Sequence, residues 1–355
     1  MRPEEVKNGQ KAISYVPSQQ LFAQAKPEES YSDYSFFESG QQIQRYLLEK
    51  DAYGQVLRGE AAIIQSLQKK IDSFKKAGKT LVIQVGHIES SAEPTFFISR
   101  LVRGLKNLDY VMLEAIPRTN EVGLMMDEFM ENISPRYNPQ KRYSFDAPGA
   151  INTFLETGDT KQLDLLEQFL ENISREGRNS KDIIQSFIEI VRAVRAGGCK
   201  FLPGDMPLAE LSATMPGSSS SSAFERWHDI REKYMVEILR KNVPQGKTVL
   251  MLTGASHLDR VRGVAGYFKK AFGGRGSIFG VYLSGGDIYE GHQIDRVVEE
   301  LGRFDRKWAG ESFAVPLPDK LVQADLLIEL LPFKRTIKGE KGLFSLPLLF
   351  GTGGY

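Results

Sequence analysis

The chain has 355 residues, of which 41% are hydrophobic and 26% are charged, a balance typical of a globular protein with a large core. Lys and Arg number 46 and Asp and Glu number 45, which leaves a formal net charge of +1. This balance does not favour nucleic acid or an anionic membrane as the main partner. The single cysteine, Cys199, excludes an internal disulfide and a zinc site built from several cysteines.

The N-terminal stretch MRPEEVKNGQKAISYVPSQQ lacks the apolar core of a signal peptide, and no run of about 18 apolar residues occurs in the chain. We therefore expect no membrane span, and a location that is cytoplasmic or secreted without a signal peptide. Residues 1–50 are polar and predict an extended segment. Residues 51–355 predict a single α/β domain with a helical insertion at about 120–197. A protein partner would be contacted through the N-terminal segment or the apolar C-terminal stretch GLFSLPLLFGTGGY.

Hydrophobic periodicity and glycine breaks predict alternating helices and strands after residue 50. The predicted helices span 53–79, 94–105, 181–196, 224–241 and 258–272. The predicted strands span 80–86, 109–114, 199–202, 248–253, 277–283 and 324–330. Residues 120–178 are predicted to be mostly helical, with a loop at 134–149. The low-complexity segment Met215–Phe224 predicts a flexible loop, and the serine run within it, Ser218–Ser222, should contribute little to the core.

This alternation predicts an α/β fold in which helices flank a mostly parallel sheet, with a helical insertion in the middle and an irregular N-terminal segment. Right-handed crossovers would bring the carboxyl ends of the strands to one edge of the sheet. Open sheets of this kind bind their ligands at that edge. The residues that follow the predicted strands are therefore the first candidates for a functional site.

Polar and charged residues follow four of the predicted strands. They are His87 and Glu89, then Glu114 and Arg118, then Asp205, then Ser256 and His257. Each residue alone is explained as readily by a helix cap, a turn or an ion pair as by catalysis. Together they would place two histidines, several carboxylates and an arginine in one cleft, where such groups perturb one another's pKa values. A fifth group, Asp287, Glu290 and His292, is a weaker candidate because Gly285–Gly286 leaves its geometry undefined.

Two histidines with carboxylates suit either a divalent metal such as Mn, Co or Zn or a base that activates water. The metal ligands would be His87, Glu89, Glu114 and His257. In the alternative, one of the two histidines takes a proton from water while Arg118 stabilises an oxyanion. Neutral His257 is expected in both cases, because a helix starting near Leu258 would point the positive end of its dipole at the imidazole. The residues do not decide between a metal site and a water-activating base. The chain contains no HExxH, GxSxG or P-loop motif.

The order of five stretches resembles the TraB/TIKI/ChaN-like superfamily, which includes erythromycin-esterase-like proteins. The stretches are GHIESS, YVMLEAIPR, LPGDMPL, ERWHDIREKYM and VLMLTGASHL. The matching positions are Gly86 with His87, Glu114 with Arg118, Asp205 with Pro207, Arg231 with Met235, and Gly254 with His257. The resemblance covers roughly residues 81–270. It departs from the family where His87 directly follows Gly86 instead of forming Gly-x-x-His, and where Met206 replaces a frequent arginine.

The resemblance implies a hydrolase that acts on a small-molecule or peptide substrate. It implies catalytic roles for His87, Glu114, Arg118 and His257, with Asp205, Ser256 and Arg231 also in the cleft. Functions differ within the superfamily: TIKI-like proteins look like metal-dependent proteases, ChaN-like proteins bind haem, and erythromycin-esterase-like proteins hydrolyse lactones with a catalytic histidine. The alternatives are therefore a haem- or small-ligand-binding protein, and a catalytically inactive interaction or effector protein on the same fold.

Overall fold

A computed structural model describes residues 56–87, 92–117, 146–173, 180–206, 221–258, 263–288, 312–317 and 324–335. Within these ranges the chain forms an α/β fold with an eight-stranded, mostly parallel sheet and seven α-helices. The alternation of sequence patterns predicts this architecture correctly. Among the same ranges, no helix has both the length and the apolar character needed to cross a bilayer.

The strands and helices alternate along most of the described chain. The strands are β1 Leu57–Arg58, β2 Thr80–His87, β3 Tyr110–Pro117, β4 Lys200–Asp205, β5 Thr248–Gly254, β6 Gly276–Ile288, β7 Phe313–Pro316 and β8 Leu326–Arg335. The α-helices are α1 Glu60–Lys76, α2 Ala92–Gly104, α3 Ala147–Thr157, α4 Lys161–Ile173, α5 Ser180–Ala196, α6 Ser221–Asn242 and α7 Val264–Phe272. Short 3-10 turns follow β5 at Ala255–Leu258 and α7 at Gly273–Arg275. The helices α3 to α5 form the predicted helical insertion between β3 and β4.

The sheet has the strand order β1-β7-β8-β6-β2-β5-β3-β4. All neighbouring strands from β8 to β4 are parallel, and β7 runs antiparallel to both β8 and β1. The parallel pairing places the carboxyl ends of β2, β5, β3 and β4 along one edge. At that edge the Cα of His87 is in register with that of Gly254.

Aliphatic and β-branched residues make the central strands suited to burial on both faces. Every residue of β5, TVLMLTG, is buried. Helix α1 buries one face through Ile63, Leu67 and Ile71, which are four residues apart, about one helical turn. On the insertion side, α2 packs against α5, and α6 packs against α7. Helix α6 also contacts β4, one of the strands that end at the carboxyl edge.

Two predicted boundaries near the carboxyl edge are wrong. The last predicted helix begins at Val264 and not near Leu258, which instead ends a 3-10 turn. Helix α6 begins at Ser221, so residues 221–224 of the predicted flexible loop are helical. Ser218–Ser220 and residues 1–50 lie outside the described residues.

Glycine placement explains two further corrections. The strand predicted at 277–283 is longer than expected, because β6 spans Gly276–Ile288. A Cβ at Gly276 would lie 3.1 Å from the backbone oxygen of Thr80 and 3.1 Å from the ring of Phe268, so this glycine allows close packing within a strand. The loop predicted at 134–149 ends by Asp146, whose carboxylate caps α3 by accepting a hydrogen bond of 3.0 Å from the Gly149 backbone nitrogen.

Candidate functional site

A set of buried ionisable side chains lies at the carboxyl edge of the sheet, and we call it the charged cluster. Its members are Glu114, Asp205, Arg231, Glu232 and His257, none more than 5% exposed. Glu114 lies in β3, Asp205 ends β4, and the 3-10 turn after β5 carries His257. Helix α6, between β4 and β5 in the chain, supplies the other two. The cluster thus joins three adjacent strand ends to one helix.

Arg231 connects two of the carboxylates. Its Nη2 donates to Oε1 of Glu114 and, at 2.6 Å, to Oδ2 of Asp205, while its Nε donates to Oδ1 of Asp205 at 3.3 Å. The guanidinium carbon lies 4.6 Å from the ring centroid of Trp227, a cation–π arrangement. Oδ1 of Asp205 also accepts from the Met206 backbone nitrogen at 2.8 Å. The guanidinium therefore holds the ends of β3 and β4 together.

Glu114 lies at the centre of the cluster. Its Oε2 accepts from the Gly254 backbone nitrogen at 2.7 Å, and its Oε1 faces both Arg231 and Nε2 of His257, the latter at 3.2 Å. Burial alone would raise the pKa of Glu114, but the positive charges of His257 and Arg231 outweigh burial and hold the pKa well below its usual range. Glu114 is therefore a carboxylate at neutral pH.

His257 has a carboxylate at each ring nitrogen. Its Nδ1 lies 2.9 Å from Oε1 of Glu232, and its Nε2 lies 3.2 Å from Oε1 of Glu114. Both nitrogens must carry a proton to donate to two carboxylates, which makes the ring an imidazolium. Burial would lower the pKa of His257, but Glu114 and then Glu232 raise it to about 10.

The expectation of a neutral His257 is therefore wrong. The α-helix that was expected to direct its dipole at the ring begins at Val264, seven positions beyond His257. The dipole effect falls off within the first turn of a helix. Two carboxylates in hydrogen-bonding contact decide the protonation state instead.

His228 lies beside the charged cluster, one helical turn before Glu232 on α6. Its ring centroid is 4.9 Å from that of His257, with an interplanar angle of 49°. The pKa of this half-buried side chain is lowered well below its ordinary value by burial, and then by the positive charges of His257 and Arg231. One donor atom from each of His228, Glu232 and His257 lies within 4.8 Å of the others, a spacing within which a metal ion could be held.

Gln84 supports the cluster from β2. Its Nε2 donates to the backbone oxygen of His257 at 2.8 Å and to Oγ1 of Thr253 at 3.2 Å. The side chain is buried, so these hydrogen bonds hold the turn that carries His257 against the central strand.

Four residues expected at the site, Glu114, Asp205, Arg231 and His257, lie together. His87 ends β2 at the same edge, and Ser256 lies in the turn directly before His257. Glu89, Arg118, Pro207, Glu290 and His292 lie outside the described residues, and Asp287 lies in β6.

Sequence reasoning did not identify Gln84, His228 or Glu232. The spacing of His228 and Glu232 within ERWHDIREK, four residues apart on a predicted helix, is the signal that could have identified that pair.

No protein-family model and no curated protein sequence matches the chain. Among solved structures, ChaN of Campylobacter jejuni, described with cofacially bound haem, has a TM-score of 0.40 and 13% identity over 74% of this chain and 91% of that one. The type III effector HopBA1 has a TM-score of 0.39 and 11% identity over 76% of this chain and 93% of that one. The C-terminal region of Pasteurella multocida toxin, described with a thiol-protease-like triad, has a TM-score of 0.36 and 12% identity over 87% of this chain and 34% of that one. Similarities at this level do not assign a function.

Proposed function

We propose that the chain is a hydrolase that activates water at the charged cluster and cleaves a small-molecule or peptide substrate. The observation that supports this most directly is His257, which lies between Glu114 and Glu232 with a carboxylate at each ring nitrogen. Linked carboxylate and imidazole groups are the usual means of proton transfer in hydrolysis. They lie at the edge where open parallel sheets bind their ligands.

The energetic cost of the cluster favours a functional role. Five ionisable groups at most 5% exposed are costly to desolvate, and apolar side chains of similar volume would stabilise the fold at least as well. Strongly shifted pKa values, such as those of Glu114 and His257, are concentrated at functional sites.

The two ends of the cluster have different proposed tasks. Arg231 pairs with both Glu114 and Asp205, and Glu114 in turn holds His257 through its Nε2. At the other end, Glu232 and the neutral His228 each have a lone pair that can either take a proton from water or bind a cation that activates it. Water is therefore activated at the His228 end. His87 is proposed to face the substrate, and Arg118 to stabilise an oxyanion.

The test is hydrolysis by the purified chain, measured on panels of aryl esters, lactones and peptides. For whichever class is cleaved, Glu232→Gln should lower kcat by at least about 100-fold, as for loss of an acid–base group. The matched control is Glu237→Gln, a half-buried carboxylate on the same helix that pairs with Arg240 at 2.7 Å, and it should keep the activity. The proposal fails if the folded chain cleaves none of these classes, or if the two variants are equally active.

A further inference from the structure

We infer that His228, Glu232 and His257 form a binding site for a divalent transition-metal cation at the outer end of the charged cluster. The site deepens the proposed function and rests on it only for the role of the cation, which is to activate the attacking water. Occupancy itself is measurable without any substrate.

Two of the three ligands come from one helix. His228 and Glu232 are four residues apart on α6, so their side chains lie on the same face of the helix, one turn apart. The third ligand, His257, is presented by the 3-10 turn after β5. Helix and turn are both fixed by buried contacts, because Arg231 next to Glu232 is paired with β3 and β4, and Gln84 holds the backbone of His257. The donors are therefore positioned before any cation binds.

The donor set selects a class of cation. Two imidazoles and one carboxylate suit Zn, Co, Mn or Fe in the divalent state, whereas Ca and Mg prefer oxygen ligands alone. Donors bound to one such ion at about 2.1 Å lie roughly 3 to 3.5 Å apart. Nδ1 of His257 and Oε1 of Glu232 are already 2.9 Å apart, and all three donors are within 4.8 Å of one another. Side-chain shifts of about 1 Å would close the set around an ion.

The groups behind His257 match the usual support of a metal ligand. A ligating histidine commonly donates its second ring N–H to a carboxylate, which fixes the ring and increases its basicity. Here Nε2 of His257 faces Glu114 at 3.2 Å, and Glu114 is held by Arg231 and the Gly254 backbone nitrogen. Nδ1 remains for the cation. When the cation binds, the bond from Nδ1 to its proton is replaced by a bond to the cation, and the proton passes to solvent.

This assignment differs from the ligands expected from sequence, which were His87, Glu89, Glu114 and His257. Glu114 is committed to Arg231, Gly254 and Nε2 of His257, so it supports a ligand and does not bind the cation. His228 and Glu232 replace the residues expected from the strand ends. His257 is common to both sets.

The experiment titrates Co²⁺ into chelator-treated, full-length protein and follows the d–d absorption of a low-coordinate cobalt site, with Zn²⁺ added as a competitor. One equivalent should bind, and His228→Ala and Glu232→Gln should each weaken binding by at least about 100-fold. The matched controls are Asp229→Asn and Glu237→Gln, carboxylates on the same helix that pair with Lys233 and Arg240; both should bind Co²⁺ as the unaltered chain does. Circular dichroism verifies that each variant is folded.

Each outcome separates this inference from the proposed hydrolase. Binding of one cation without hydrolysis supports the cation site and overturns the proposed hydrolase function. Hydrolysis by a chain that binds no cation overturns the site alone. Binding of several equivalents of Co²⁺ that is unaffected by His228→Ala and Glu232→Gln also overturns the cation site. A Soret band with added haem, in a chain that binds no Co²⁺, overturns it as well.

Discussion

Arg231 is the residue on which the charge balance of the cluster depends, because its guanidinium donates to both Glu114 and Asp205. Arg231→Met would leave two buried carboxylates without this partner. We expect it to lower the free energy of unfolding by about 3 to 5 kcal/mol, the usual cost of breaking a buried ion pair from one side. Urea denaturation at neutral pH measures this difference.

The control for Arg231 is Arg240→Met, which removes an exposed ion pair with Glu237 from the same helix. Such pairs contribute about 0 to 1 kcal/mol. If the two variants have equal stability, the buried network does not stabilise the fold in the way its geometry indicates.

Gln84 is predicted to act as a positioning residue for His257. Gln84→Leu removes the hydrogen bonds to the backbone oxygen of His257 and to Thr253. It should lower the free energy of unfolding by about 1 to 3 kcal/mol because the buried oxygen of His257 loses its donor. It should also weaken Co²⁺ binding by roughly 10-fold, as for other groups that orient a metal ligand.

The matched control is Gln68→Leu. Gln68 makes hydrogen bonds in α1 and to the Lys106 backbone, away from the cluster. It should change stability without changing cation affinity. Equal effects of both variants on affinity would contradict a positioning role for Gln84.

The position of His257 can be predicted from the sequence, but not all of its contacts can. Its place after a buried strand is evident from VLMLTGASHL, and this predicted its position correctly. Its contact with Glu232 is not evident from the sequence, and a residue just past a strand predicts a stability cost for His257→Ala of only about 1 kcal/mol, as for substitutions outside a core. Because the ring is buried between Glu114 and Glu232, the structure raises that expectation to about 3 to 5 kcal/mol.

At the scale of the element, β4 reaches the cluster because Gly204 allows close approach to β3. A Cβ at this position would lie 2.8 Å from the backbone of Leu113 and of Glu114. Gly204→Ala should therefore push the end of β4 away from β3 and displace Asp205 from Arg231. We expect a loss of about 1 to 3 kcal/mol from overpacking, with further loss if the ion pair opens.

Gly274→Ala is the control for Gly204→Ala, because a Cβ there has no neighbour within 4 Å. Thermal denaturation should show a lower Tm for Gly204→Ala alone. A Gly204→Ala variant as stable as the control would show that the two strands can separate without cost.

Elements differ in how well sequence predicts them. The apolar runs of β2 and β5 predict their strands directly, since residues 80–86 of β2 and all of β5 are buried. The contribution of α6 to the site is harder to predict. The four-residue spacing of His228 and Glu232 places them on one face, but only the packing of the helix against the strand ends brings that face to the cluster. A search confined to residues after strands therefore misses both.

At the scale of the whole molecule, the alternation of helices and strands predicts a parallel sheet but not its strand order. Strand β5 lies between β2 and β3, and β6 lies on the other side of β2. This order depends on contacts between residues far apart in the chain, such as Gln84 with His257. The antiparallel strand β7 is four residues long, too short for a periodic signal.

Cys199, directly before β4, offers a measure of global stability because it is the single cysteine in the chain. The buried thiol donates to the backbone oxygen of Leu108 at 3.4 Å. Burial, followed by the negative charge of Asp109, raises the pKa of Cys199 to about 11. A folded pKa above the unfolded value favours the protonated thiol. The stability from this group is therefore present below the unfolded pKa, about 8.5, and is lost as the pH rises from there through about 11.

We predict that an aromatic disulfide reagent at pH 8 modifies Cys199 only as the protein unfolds, since the thiolate is the reactive form and the native thiol is buried. In increasing urea, the labelling rate should follow the loss of tryptophan fluorescence. In native buffer, Arg231→Met should accelerate labelling by about 100-fold or more, because a loss of roughly 3 kcal/mol raises the ratio of unfolded to folded protein by that factor. Arg240→Met should label at the rate of the unaltered chain. Labelling that is complete before the fluorescence changes would show that the edge of the sheet at β4 opens alone. Because Asp205 ends β4, the charged cluster would then open independently of the core.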